Sequence, residues 1–369
     1  MKFPKPLQGF RRYSSLFYFS ALLVFVCVTL FFTISVKSGG DIGKLCEIGD
    51  IPWTFANFKN ELNAFQDAYD ARPISHSVSG SNLFHAFAQW CLIRMLKPKF
   101  IIESGVMLGW GTFMLRKAAG PDVHIIVISP KSPIEAAEGK HKFYMDSGLS
   151  TYLTGDKFSD FNKVNWDLFG LDTPAKKASA LIYFDDHQSG YRRLLEAQQA
   201  GFVHAMYDDG YPWPGDNYAL KQACDRSGNL ELVRFSLRNP TLQIPAKAPD
   251  TFSYQDNFGK FKTLISVQEK QCIADDMLGR VETYYEFPPL WAGPFRSQNG
   301  PLLEGIRQRP LLNYFEAKQF LQKFVNLKDL KIELEAGRYT FFTYVKIKET
   351  FKPAADCLGQ LNHDYKLPV

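Results

Sequence analysis

The chain lacks usable glycosylation acceptors: the lone Asn-x-Ser/Thr triplet, Asn239-Pro240-Thr241, is blocked by its proline. That absence counts against a body exposed to a secretory lumen. Cysteine is also sparse. Six cysteines in 369 residues, with no CxxC and no regular spacing, exclude a zinc module or a disulfide scaffold, leaving room for one or two bridges in an oxidising compartment. Positive charge is scarce once it is located. The net charge is +5, but Lys2, Lys5, Arg11 and Arg12 supply four of it, leaving 39 basic against 38 acidic residues in the remainder. No basic stripe runs through the body, so nucleic acid is excluded as a partner. Internal repeats and low-complexity tracts are missing as well.

Apolar residues are plentiful, at 46% with 15% aromatic, enough to bury the core of one large domain or two ordinary ones. One apolar stretch stands apart. Leu16 to Val36, LFYFSALLVFVCVTLFFTISV, is 21 residues without a charge. At about 1.5 Å per residue it spans roughly 30 Å, the hydrocarbon thickness of a bilayer. A cleaved signal peptide has an apolar region of about 7 to 15 residues and a small-residue cleavage site, so the run reads as an uncleaved anchor. The four cations precede it and only Lys37 and Lys44 closely follow. The positive-inside rule therefore places the N-terminus in the cytosol and the body in the lumen of the Golgi or the endoplasmic reticulum. The expected organisation is a basic tail over 1–15, a signal anchor over 16–36, a short stem over 37–50 and a single domain over 51–369.

Within the body, Asn82 to Leu96 has apolar residues at helical spacing and stops before Pro98, which predicts a helix packed on a core. Phe100 to Glu103, a glycine-rich turn, a helix near Thr112 to Ala119 and a strand at Val123 to Ile128 make a βαβ unit and imply a parallel sheet. A helix and a short strand are expected between Ser129 and Lys177. Ala180 to Phe184 and Val203 to Tyr207 read as buried strands joined by a helix over Tyr191 to Ala200. After a helix at Asp216 to Asp225, residues 230–261 lack a clear period and read as a loop or lid. Val281 to Phe287 and Tyr339 to Ile347 read as late strands, with an amphipathic helix over Leu311 to Val325.

Two of these runs end alike. ALIYFDDHQ and VHAMYDDGY each close on a carboxylate pair, Asp185 with Asp186 and Asp208 with Asp209. Ligands of open α/β sheets bind outside the carboxyl ends of the strands, and a parallel crossover brings such ends together. Converging hard oxygens on a nearly neutral body suit a divalent cation such as Mg²⁺. The plainer alternative is that Asp186 and Asp209 cap the following helix or turn, and one member of each pair is expected to do so. His187 is the candidate general base, because its ordinary pKa lies near working pH; His204, inside an apolar run, reads as a core residue. In FIIESGVMLGWGTFML, Glu103 ends a strand and Gly105, Gly109 and Gly111 precede a helix. Glycines there permit tight backbone geometry and let a nucleoside approach the helix N-terminus.

The Glu103-x-Gly105-x-x-x-Gly109 pattern resembles motif I of S-adenosylmethionine (SAM)-dependent methyltransferases. Together, IIESGVMLGWGTFML, LIYFDDHQ and GFVHAMYDDGYP resemble the cephalosporin hydroxylase and macrocin O-methyltransferase-like family, over roughly Leu83 to Lys221. That resemblance implies a Rossmann-like SAM-methyltransferase fold, α/β with a mostly parallel seven-stranded sheet and helices on both faces. It places Glu103, Gly105 and Gly109 in a SAM pocket, makes Asp185, Asp208 and Asp209 ligands of Mg²⁺, and sets His187 beside the acceptor hydroxyl. Ser129 stands where such enzymes commonly carry an acidic residue for the ribose, so a charge-assisted bond is lost there. The expected activity is O-methylation of a glycan or other secreted or small-molecule hydroxyl. Two rivals remain open: a Golgi-type metal-dependent glycosyltransferase, against which the lack of a clean Asp-x-Asp counts, and a methyltransferase fold kept as a binding module.

Overall fold

The computed structural model describes residues 51, 53–74, 83–188, 190–208, 220, 234–235, 253–255, 261–263, 267–292, 309–324 and 342–352. The basic tail, the anchor Leu16 to Val36 and the stem lie outside them, as does the helix expected at Asp216 to Asp225 except for Leu220, which is helical and buried. Among the described residues no helix is long and apolar enough to cross a membrane.

Helices α1 (Phe55–Asp70) and α2 (Leu83–Leu96) precede strand β1 (Phe100–Ser104). There follow α3 (Trp110–Ala119), β2 (His124–Ser129), α4 (Pro133–Ala137), β3 (Ser150–Thr154), α5 (Pro174–Ala178), β4 (Ala180–Phe184), α6 (Gly190–Gln199) and β5 (His204–Tyr207). The C-terminal part holds β6 (Arg234–Phe235), β7 (Ser253–Gln255), β8 (Phe261–Thr263), α7 (Val267–Arg280), β9 (Val281–Glu286), α8 (Tyr314–Gln322) and β10 (Thr343–Ile347).

Seven strands form one sheet in the order β3-β2-β1-β4-β5-β10-β9. The pairings β2 with β3, β1 with β2, β1 with β4 and β4 with β5 are parallel, and β10 runs antiparallel to both β5 and β9. From β1 the chain winds outward to β3, then returns to lay β4 on the other side of β1. That reversal is a topological switch point, where doubly wound sheets open a crevice at their carboxyl edge.

Both faces of the sheet are covered, which is why the central strands read as unbroken apolar runs. Side chains alternate between the faces. Ile101, Val127, Leu181, Tyr183 and Met206 join Leu83, Phe87, Leu92, Met114 and Leu115 of α2 and α3 in one core. Ile102, Ile126, Ile182, Phe184 and Tyr207 join Tyr191 and Leu194 of α6 and Met277 of α7 in the other.

Two corrections concern extent. Residues 230–261, read as loop or lid, contribute β6 and β7, which pair antiparallel with β8 in a three-stranded sheet. The helix expected over Leu311 to Val325 is α8, shortened at its start because Asn313 caps it by accepting from the Glu316 amide. Cys272 is disulfide-bonded, and Cys91 is free and buried.

Candidate functional site

The switch point positions the site. In register, Ser104 faces Phe184 across β1 and β4, and Phe184 faces Tyr207 across β4 and β5. Two further hydrogen bonds extend the ladders, Asp185 N to Ser104 O at 2.8 Å and Asp208 N to Phe184 O at 3.1 Å. Asp185 and Asp208 therefore emerge level with each other, one residue beyond the paired strand ends.

Alternation separates the first aspartate pair. Asp186 turns toward α6, where its carboxylate accepts from Ser104 Oγ at 2.7 Å and from Arg193 Nε at 2.8 Å, and its other oxygen accepts from Gln188 N at 3.2 Å. Arg193 is buried and also binds Asp160 and Glu196, at 2.7 and 2.6 Å. Asp186 thus shapes the turn and anchors α6, the plainer of the two roles weighed for it.

Asp185 and Asp208 share the opposite face with Tyr183. The buried Tyr183 hydroxyl lies 3.1 Å from Asp208 Oδ1 and 3.2 Å from Asp185 Oδ2. A phenol carries one hydrogen, so it can donate to only one of these carboxylates at a time. From α2, His85 brings Nδ1 to 2.7 Å from the same Asp208 oxygen, and both residues are buried. Burial alone would push the Asp208 carboxyl up. The charge and hydrogen bond of His85, the charge of His187 and the Tyr183 hydroxyl outweigh that and hold it below the usual carboxylate range.

Glu103, the penultimate residue of β1, is fully buried and accepts from Thr112 Oγ1 at 2.5 Å, which ties the strand end to the first turn of α3. Burial, joined by the charge of Asp146 and opposed by the Thr112 bond, raises its pKa to about 8. Gly105 and Gly109 hold φ of +97° and +81°. A Cβ on Gly105 would lie 2.2 Å from Asp185 O, and one on Gly109 would lie 1.9 Å from Tyr144 O. Both bare faces are thus occupied by the protein's own backbone, so the part of the turn left to meet a ligand is Val106 to Leu108. Ser129 ends β2 and its hydroxyl donates to Val106 O at 3.1 Å, an intramolecular use of the group assigned to a ribose.

His187 is exposed and adopts φ +53°, a left-handed conformation that Lys97 and Glu138 also hold among the described non-glycine residues. Asp209 lies outside the described residues. Among the described residues no group of three His, Cys, Asp or Glu side chains forms a metal-holding cluster. The structure therefore brings Asp185, Asp208 and His187 to one edge, with Glu103, Gly105, Gly109 and Ser129 building the neighbouring turn. Sequence reasoning missed His85 and Tyr183. A histidine inside the otherwise apolar LFHAFA segment was the available signal, because a buried imidazole needs a partner.

No protein-family model and no curated protein matches this chain. Solved structures similar to it include O-methyltransferases and another methyltransferase. The O-methyltransferase from Bacillus cereus in complex with SAH aligns over 58% of this chain and 93% of its own, at 13% identity and a TM-score of 0.26. TomG from Streptomyces achromogenes, an O-methyltransferase of tomaymycin synthesis in complex with SAM, aligns over 59% and 92%, at 14% identity and a TM-score of 0.27. A methyltransferase from Geobacter sulfurreducens aligns over 56% and 89%, at 12% identity and a TM-score of 0.25.

Proposed function

We propose that the chain is a SAM-dependent O-methyltransferase that acts on a hydroxyl of a glycan or other secreted acceptor with the help of Mg²⁺. One observation carries this reading: the glycine turn after β1 and the Asp185, Tyr183, Asp208 and His85 constellation flank the same switch point. The backbone of Val106 to Leu108 and the start of α3 would hold SAM. Asp185 and Asp208, with Asp209, would hold the cation. Two carboxylates competing for one phenolic hydrogen fit a site that takes positive charge. When bound, SAM supplies an electrophilic methyl group, and Mg²⁺ supplies charge that favours a deprotonated acceptor. His187, at the same edge, would accept the hydroxyl proton, and the rigid strand ends would hold the acceptor for in-line attack.

Calorimetric titration of SAM into the full chain in detergent, with Mg²⁺ and with a chelator, tests this beside a UDP-sugar control. Saturable SAM binding with transfer lost in Asp185→Asn and Asp208→Asn is expected. Binding of the UDP-sugar and not of SAM would refute it. The Ser129 bond to Val106 favours a second reading, a methyltransferase fold retained for binding; SAM binding without transfer to any hydroxyl acceptor would select it.

The body is proposed to be lumenal, anchored by Leu16 to Val36 with the N-terminus in the cytosol, in the Golgi or the endoplasmic reticulum.

A further inference from the structure

We infer that His85 is a positioning residue of this site, fixing the orientation in which Asp208 presents its carboxylate to a divalent cation. The inference rests on the proposal that Asp208 helps to hold such a cation.

Nothing in the fold of α2 requires a histidine there. Leu83, Phe84, Ala86, Phe87 and Ala88 around it are buried and apolar, and packing alone would be served by another apolar residue. Burying an imidazole in such a helix costs free energy unless it is hydrogen-bonded. Its Nδ1 meets the carboxylate of Asp208, just beyond β5 and 123 residues away in sequence. An ionised carboxylate only accepts, so Nδ1 carries the proton and donates to Oδ1.

Tyr183 Oη also reaches Oδ1, at 3.1 Å, from β4. One oxygen is thus held from two elements, a helix on one side and the neighbouring strand on the other. Two such contacts restrain rotation of the carboxylate about its Cβ–Cγ bond, a torsion that is otherwise broad. Tyr183 alone is a weaker restraint, because its one hydrogen is contested by Asp185 Oδ2 at 3.2 Å. His85 supplies the second donor, at the shorter distance of 2.7 Å. Groups that orient a metal-binding carboxylate in this way typically contribute about 10- to 100-fold to metal affinity.

The test uses the full chain in detergent with Mn²⁺ as a paramagnetic probe, titrated by electron paramagnetic resonance, and SAM binding followed in parallel. His85→Asn keeps an N–H donor near the Nδ1 position; His85→Gln moves it toward the Nε2 position; His85→Leu removes it. Expected are Mn²⁺ affinities close to wild type for His85→Asn, and weaker by about 10- to 100-fold for His85→Gln and His85→Leu. SAM affinity should be unchanged in the folded variants. If His85→Leu fails to fold, the contrast between His85→Asn and His85→Gln decides. Equal Mn²⁺ affinity in those two variants, or wild-type affinity in a folded His85→Leu, overturns the inference while leaving the cation site standing. Absence of Mn²⁺ binding by the wild-type chain overturns both.

Discussion

Substituting Gly105 by alanine tests how the two halves of the site are held together. Gly105 has φ +97°, and a Cβ built on it would sit 2.2 Å from Asp185 O, 2.4 Å from Asp185 C and 2.7 Å from Asp186 Cα. All three are backbone atoms of the turn that carries the aspartate pair, so no flexible side chain can swing away. Gly120 supplies the control, with φ +87° and nothing within 4 Å of its virtual Cβ. Both substitutions incur the strain of a positive φ, about 1–3 kcal/mol. Only Gly105→Ala adds overpacking, about 1–3 kcal/mol more. The expected destabilisation is therefore about 1–3 kcal/mol for Gly120→Ala and about 2–6 kcal/mol for Gly105→Ala. Urea unfolding followed by tryptophan fluorescence, compared at a common m-value, measures both. Equal losses in the two variants would refute the claim that the glycine turn is seated against Asp185.

Glu103→Gln probes the buried carboxyl. Its folded pKa of about 8 lies above the unfolded value, so between roughly pH 4.3 and 8 the folded state keeps a proton that the unfolded state has released. Stability should then fall with rising pH across that window, by at most about 1.4 kcal/mol per unit, and the difference from Glu103→Gln should carry that slope. A difference independent of pH would sink the assignment. Arg193→Met leaves Asp186 without its buried cation, while Asp160 and Glu196 keep Arg192, and a loss of about 3–5 kcal/mol is expected in the same unfolding assay; a loss under about 1 kcal/mol contradicts a structural role for the network. Because the native sequence lacks a sequon, Lys140→Asn with Lys142→Thr places one on an exposed segment. In secretory cells that variant should gain a glycosidase-sensitive mass shift; an unmodified, fully membrane-bound product would place the body in the cytosol.

The strands that build the site were legible because a parallel strand buried on both faces leaves an unbroken apolar run: Ala180 to Phe184 coincides with β4. The βαβ unit from Phe100 to Ile128 was readable for the same reason, with glycine marking its turn. β6 and β7 escaped because strands of two and three residues owe their existence to partners distant in sequence. α1 went unmarked in the sequence reading, although Thr54 and Asn57 form a reciprocal cap at its start. The aspartate pairs announced a common edge, and for the first pair the expectation that one member is structural is met by Asp186; Asp209 of the second lies outside the described residues. What sequence could not supply was the third dimension: that His85 reaches Asp208 from α2, or that the Gly109 void is filled by Tyr144.

On paper Asp185 and Asp186 look like a spare and its original. The pleat makes them specialists, one answering to the α2 side of the sheet and the other to the α6 side. A carboxylate lost from one position cannot be replaced by its neighbour, since reaching the other side would require shifting β4 by a residue and turning its whole apolar set inside out. The same holds for length. One residue inserted between Tyr183 and Asp185 would exchange the two assignments at a stroke, giving Arg193 a different aspartate and leaving Tyr183 without the Asp185 contact. This edge can tolerate changes in what surrounds it far more readily than any change in its spacing.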